Sequence, residues 1–235
     1  QVLQAISAIS SLVTVQSDIG GGHGNAEQIA ADARLHIHLL PYQQGLKMQI
    51  LVRPLPGGGA YYAPGSGAES VFAELDGKPV QARRNLNAER EAQRQLAGRC
   101  LVLEEAEEEH GEWLLGQPSL ALQLLVELQD LALDSIVVAW PEGESFKVSK
   151  RIETSQFQLS IKSGKDWFEA SGELKIDENQ VLDLRALLEL MQNNKNRFIA
   201  LGDNQFLALS DELHRRLSEL AAFGDVGAED RKSTR

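Results

Sequence analysis

Apolar residues recur along this chain in two rhythms. Leu35, Ile37 and Leu39 alternate with Arg34, His36 and His38; after Gln43-Gln44-Gly45, Leu46, Met48, Ile50 and Val52 alternate with Lys47, Gln49 and Arg53. Two period-2 runs around a short polar turn predict a β-hairpin with one wet face, on which His36 and His38 sit. Val71, Ala73 and Leu75 lead into Asp76-Gly77, a strong hairpin signal, and Val80 follows. Further strands are predicted over Leu101–Leu103, Trp113–Leu115, Ser135–Trp140, Phe146–Lys150, Gln156–Lys162 and from Asp166-Trp167-Phe168 to Ile176. Phe198–Leu201 and Gln205–Leu209 flank Gly202-Asp203-Asn204 and form a last hairpin.

The second rhythm is helical. Gln1–Gln16 places Leu3, Ile6, Ile9 and Val13 near one face. Leu86–Ala97 predicts a half-exposed helix that stops at Gly98. After Pro118, Leu120, Leu124, Leu125 and Leu128 keep a 3.6-residue period, and Leu122 and Val126 fill the other side, so this helix belongs in a core. Val181, Leu184, Leu187, Leu188 and Met191 make one apolar stripe. Leu213, Leu217, Leu220 and Ala221 make another, capped by Ser210 and stopped by Gly224.

The expected class is α+β: mainly antiparallel hairpins with three or four packed amphipathic helices, in two subdomains. The expected divisions are residues 1–32, an N-terminal helix and glycine-rich linker; 33–134, a first α+β subdomain; 135–224, a second; and 225–235, a polar tail or linker.

The 235 residues suffice for a core without disulfides or metals, and the single cysteine, Cys100, has no internal partner, as suits a reducing, cytoplasmic compartment. It reads as a packing thiol. The chain starts with Gln, as a chain beginning inside a longer protein would, and Gln1–Val15 lacks the marks of a signal peptide. No apolar run reaches the length of a membrane span. A formal charge of −11 argues against wrapping nucleic acid with the whole surface but leaves room for a basic patch. Arg83, Arg84, Arg90, Arg94 and Arg99 form the densest basic region, and Arg83, Arg84, Arg90 and Arg94 are the candidate nucleic-acid contacts. The acidic run Glu104–Glu112 follows them. Without interleaved aromatic residues, both runs also read as solvated faces that partly neutralise each other.

Catalytic patterns are missing. Gly20-Gly21-Gly22-His23-Gly24 and Gly57-Gly58-Gly59 lack the Lys-Ser/Thr that a phosphate-binding loop needs, and read as connectors. Gly77-Lys78-Pro79 and Gly164-Lys165-Asp166 fail at the hydroxyl position. Leu101-Val102-Leu103-Glu104-Glu105 looks like a strand ending in carboxylates, but without that loop it has no triphosphate to serve. His36 and His38 could ligate a metal only with a third ligand, and none is near in sequence. No catalytic, cofactor or metal residue is assigned.

Four pieces in order carry a family resemblance: His38-Leu39-Leu40-Pro41 with Gly45-Leu46-Lys47 and Arg53-Pro54; Val71-Phe72-Ala73-Glu74-Leu75-Asp76-Gly77; Leu103-Glu104-Glu105-Ala106 with Glu112-Trp113; and Asp166-Trp167-Phe168 through Leu201-Gly202-Asp203 to the last helix. Over roughly residues 33–224 this order resembles the region preceding the motor in bacterial SWI/SNF-family helicases, DNA-dependent ATPases of helicase superfamily two. Asn204 stands where the family often has glycine, and still tolerates a left-handed backbone. The resemblance implies a non-catalytic accessory module whose partner is the ATPase motor of the same polypeptide. ATP and magnesium would belong to that motor. It also leaves open a double-stranded DNA contact through Arg83–Arg99, or a protein-docking platform.

Overall fold

The computed structural model describes residues 26–75, 77–131, 135–141, 145–163, 168–176, 181–192 and 196–230. Fourteen strands and four α-helices among them make an α+β chain, rich in antiparallel pairs. It divides into two compact units, Gln1–Gly143 and Glu144–Arg235.

In the first unit, β2 (Leu35–Tyr42) and β3 (Gly45–Val52) form the expected hairpin, with Gln43 in the left-handed turn conformation at φ 53°. β7 (Glu112–Leu115) continues the sheet beside β3, and β6 (Glu107–Glu109) closes that edge. β8 (Ile136–Ala139) runs parallel to β2 on the other side. The register puts Leu35, Ile37, Leu39, Val52, Ile50, Met48, Leu46, Trp113 and Leu115 on one buried face. A helix, α2 (Pro118–Gln129), lies against β3 and buries Leu122, Leu124, Leu125, Val126 and Leu128, as its all-round apolar pattern requires.

A second sheet carries β4 (Ser70–Leu75) and β5 (Lys78–Arg83), joined at Gly77 with φ 75°. β1 (Glu27–Ala30) adds in parallel to β5. Leu55, Val71, Ala73, Val80 and Ala82 form its core, with Ile29 and Tyr62 packed against them. Helix α1 (Leu86–Arg99) follows, capped by the Asn85 side chain, which accepts from the Ala88 N–H at 3.0 Å.

In the second unit, β10 (Phe157–Ser163), β11 (Phe168–Lys175) and β12 (Val181–Asp183) form one antiparallel sheet. β13 (Phe198–Gly202) and β14 (Gln205–Ala208) form the expected hairpin, with Asp203 at φ 47° and Asn204 at φ 55°. Both turn residues are left-handed, the geometry that matches strand twist in a two-residue turn. β9 (Lys147–Val148) pairs in parallel with β14. Helices α3 (Leu184–Gln192) and α4 (Asp211–Asp230) complete a core of Ile152, Leu174, Leu184, Leu187, Met191, Ile199, Leu207, Leu209, Leu213 and Leu217. The Ser210 hydroxyl accepts from the Leu213 N–H at 3.3 Å, the predicted cap.

Several expectations need correction. The division between units follows β8 instead of preceding it at 133–135, because β8 is held by ladder bonds to β2. The linker assigned to residues 1–32 contains β1, paired with β5; the helix expected at Gln1–Gln16 lies outside the described residues. Val181 is 56% exposed and begins a strand, so the stripe of α3 starts at Leu184. Leu101–Glu104 is a 3-10 turn rather than a strand, and its Val102 N–H donates to Glu127 Oε2 at 3.1 Å. Gly98 does not stop α1, which runs on to Arg99. Gly224 does not stop α4, which continues through residues 225–230, part of the expected tail. Asp166-Trp167 lies outside the described residues.

Gly45 occupies a position that admits no side chain: a Cβ there would lie 2.0 Å from the Leu115 carbonyl oxygen, a backbone atom. Gly45→Ala is expected to destabilise the first unit by about 2–3 kcal/mol. Urea denaturation followed by tryptophan fluorescence reads this, and an unchanged midpoint would refute the close approach of β3 and β7.

Candidate functional site

The sequence points to the arginines after β5, and three of them line one open depression of ≈ 540 Å³ together with Glu69, Asn85, Leu86 and Asn87. They are not equivalent. Val80, Ala82 and Arg84 alternate, so Arg84 continues the inner face of β5 and is only 3% exposed. Its Nε and Nη2 donate to Glu89 Oε1 and Oε2 at 2.9 and 2.6 Å. Nη1 donates to the carbonyls of Ser66 and Ala68 at 2.8 and 3.2 Å, and Nη2 reaches that of Ala63 at 3.5 Å. All five N–H donors of the guanidinium are thereby used. Its plane also lies over the Tyr62 ring, 4.7 Å from the centroid.

Glu89 does more than neutralise Arg84. Its Oε2 accepts the Gly65 N–H at 2.8 Å, and Arg90 Nη2 donates to the Gly65 carbonyl at 2.6 Å. A clasp of Arg84, Glu89 and Arg90 therefore pins the segment between β3 and β4 to the start of α1. Gly65 fits because it holds φ 68° and a Cβ there would strike the Arg90 side chain. Arg84 is corrected from a nucleic-acid contact to an interior clasp, since a guanidinium with no free N–H has nothing to offer a phosphate.

The other named arginines remain at the surface. Arg83 is exposed and approaches Glu69 at 3.9 Å, a separation and exposure that bind it weakly. Arg90 also donates to Asn87 Oδ1 at 2.9 Å. Arg94 pairs with Glu91 on the same helix face, and Arg99 sits exposed in the last turn of α1. Arg83 and Arg90 meet at the depression; Arg94 and Arg99 do not line it.

A second cluster was missed by the alternation argument. His36 and His38 are not on a wet face: they are 1% and 9% exposed. The Tyr61 ring stands edge-on to both, with centroids 5.3 Å from His36 and 4.5 Å from His38. Arg53 lies over the same ring at 5.4 Å and reaches the Tyr61 hydroxyl at 3.4 Å. Burial, with help from the Arg53 charge, holds both histidines below their ordinary pKa. Neither His36 ring nitrogen, nor Arg53 Nε, has a hydrogen-bond partner. No group of three metal-ligating side chains occurs among the described residues, and Cys100 is buried, with its thiol pushed up to about 11 by burial. No helix among the described residues is long and apolar enough to cross a membrane.

Compared with protein-family models, with curated proteins and with solved structures, the chain matches none.

The clasp makes a sharp distinction between neighbours. Arg84→Ala strips the charge partner from a nearly buried Glu89 and is expected to destabilise the protein by about 3–5 kcal/mol. Arg83→Ala next door is expected to leave stability nearly unchanged. Paired urea titrations check this, and equal losses for the two variants would contradict the saturated geometry of Arg84.

Proposed function

We propose that this chain is a non-catalytic accessory module that positions or regulates a SWI/SNF-type ATPase motor. What supports the reading is the ordered set of four stretches that resemble the region preceding such motors. Their distinctive residues serve packing and turns: Leu39 is fully buried, Gly45 permits the close approach of β3 and β7, Gly77 turns β4 into β5, and Asp203 turns β13 into β14. Such residues build a scaffold.

A second reading, a DNA contact, draws on the depression beside α1, where Arg83 and Arg90 are exposed. Arg84 is excluded from it, and Glu69 offsets one of the two remaining charges.

The two readings part in one set of titrations. Under the first, the chain binds a purified SWI/SNF-type motor supplied in trans and shifts its DNA-stimulated ATP hydrolysis several-fold. It shows no salt-sensitive affinity for duplex DNA. Under the second, two phosphate contacts lower DNA affinity about tenfold between ~50 and ~200 mM salt, and the pair Arg83→Glu and Arg90→Glu abolishes binding. Failure to bind the motor, or ATP hydrolysis by the chain itself that survives further purification, overturns the accessory reading.

A further inference from the structure

On the face of β2 opposite the main core, one loop side chain covers a pair of histidines. β3 ends at Val52, and the chain then returns beside it at Tyr62, laying the Tyr61 ring against His36 and His38, before entering β4 at Ser70. Leu55 is anchored in the core of the second sheet. Tyr62 is anchored twice: it exchanges both backbone hydrogen bonds with Val52 at 2.9 Å, and its ring lies under Arg84. Beyond it, residues 63–68 are held by the clasp. Between these anchors run Pro56-Gly57-Gly58-Gly59-Ala60-Tyr61, where Gly57 and Gly59 hold φ 77° and 102° and a Cβ at Gly57 or Gly58 would touch nothing within 4 Å. Gly57 and Gly58 thus lie in open space between two held ends, Leu55 and the clasp at residues 63–68.

Beneath Tyr61 lies a pair of imidazoles whose burial disfavours a proton in place. An imidazolium has two N–H donors and needs acceptors for them. His36 has none. The groups around it are cationic or already engaged. Arg53 approaches from the end of β3, and Arg34 flanks β2 itself. The Asp32 carboxylate before β2 is taken by Arg34, at 2.6 Å. On the same face β3 brings Lys47, Gln49 and Leu51, β7 brings Glu112, whose carboxylate is taken by Lys47 and Gln49, and β8 brings the uncharged Val137 and Ala139. Helix α1 lies against β2, but its Glu89 is committed to Arg84. A proton added to His36 would therefore meet His38 and Arg53 with no free anion at hand.

We propose that Pro56–Tyr62 is an acid-released strap: a proton on His36 or His38 drives Tyr61 off the pair, breaks the Val52–Tyr62 bridge and opens the two imidazoles to water. The clasp at Arg84 keeps the far end in place, so the opening is local and reversible. Direction follows from linkage. A histidine held below its ordinary value when covered, and restored to about 6.5 when uncovered, binds more protons in the open form. Closure is favoured above about pH 6.5 and is lost as pH falls below it, by about tenfold per pH unit for each histidine that gains a proton on opening.

The test is amide hydrogen exchange on the whole chain between about pH 7.5 and 5.5. The reporters are the Tyr62 and Val52 N–H groups, corrected for the intrinsic pH dependence of exchange, with the β2–β3 ladder as reference. Protection of Tyr62 is expected to fall about tenfold or more per pH unit below 6.5 while the ladder holds. In the double variant His36→Leu and His38→Leu that pH dependence should vanish. Flat protection of Tyr62 in the native chain overturns the proposal, as does equal loss along the ladder or a loss that persists in the double variant. Should that variant fail to fold, imidazole titration by NMR in the native chain decides: strap amides that stay protected after His36 and His38 have taken up protons overturn it.

Discussion

A single guanidinium governs the first unit. Arg84 leaves β5 on its inner face, where a charge without partners would be too costly to bury, and its five donors meet five acceptors. Three of those acceptors are loop carbonyls at Ala63, Ser66 and Ala68, which have no ladder to satisfy them in a segment without strands. The arginine and the loop therefore solve each other's problem. Glu89 extends the solution by taking the Gly65 N–H as well, and this fixes where α1 begins relative to the loop. The course of the chain between β3 and β4 follows from that exchange more than from apolar burial, since the segment contributes little beyond Leu55 and Tyr62 to the core.

The same interaction reorganises the functional question. Five arginines within a short stretch suggest a cationic surface. Folding divides them: Arg84 is consumed inside, Arg90 is tied to Gly65 and Asn87, and Arg94 to Glu91, leaving Arg83 weakly paired at the rim and Arg99 exposed at the far end of α1. A count of charges overstates what a polyanion would meet, because a charge spent on internal acceptors cannot release counterions from a phosphate backbone. Little concentrated field is left there for a polyanion.

What could be read from the sequence was local. The β2–β3, β4–β5 and β13–β14 hairpins each announce themselves by alternation around a turn, and α2 by its apolar girdle, because those signals arise from residues adjacent in the chain. The parallel partners β1, β8 and β9 carry no such mark. Their pairing joins segments far apart, so the boundary drawn before β8 fell on the wrong side of it. Arg84 was recoverable: extending Val80 and Ala82 by one more step of two places it indoors. The histidines were not. Alternation sends His36 and His38 correctly to the face opposite Ile37 and Leu39, but nothing in the pattern says that a tyrosine from a glycine-rich loop will cover it.

That covering has a physical consequence of its own. Tyrosine is well suited to lie over neutral imidazoles: its ring supplies apolar contact while its hydroxyl stays within reach of Arg53 and water. It offers no carboxylate to a protonated ring, so the arrangement tolerates one protonation state and opposes the other. A leucine pair beneath the same tyrosine would be indifferent to pH, and a glutamate above it would reverse the preference. The glycines between Leu55 and Ala60 make the cover easy to lift, whereas the clasp beyond Tyr62 makes it hard to lose. One loop thus combines a rigid end, set by an arginine whose charge is fully matched, with a compliant end over two histidines that have no match for a charge; the contrast between those ends is what confines any response to Tyr61 and its immediate neighbours.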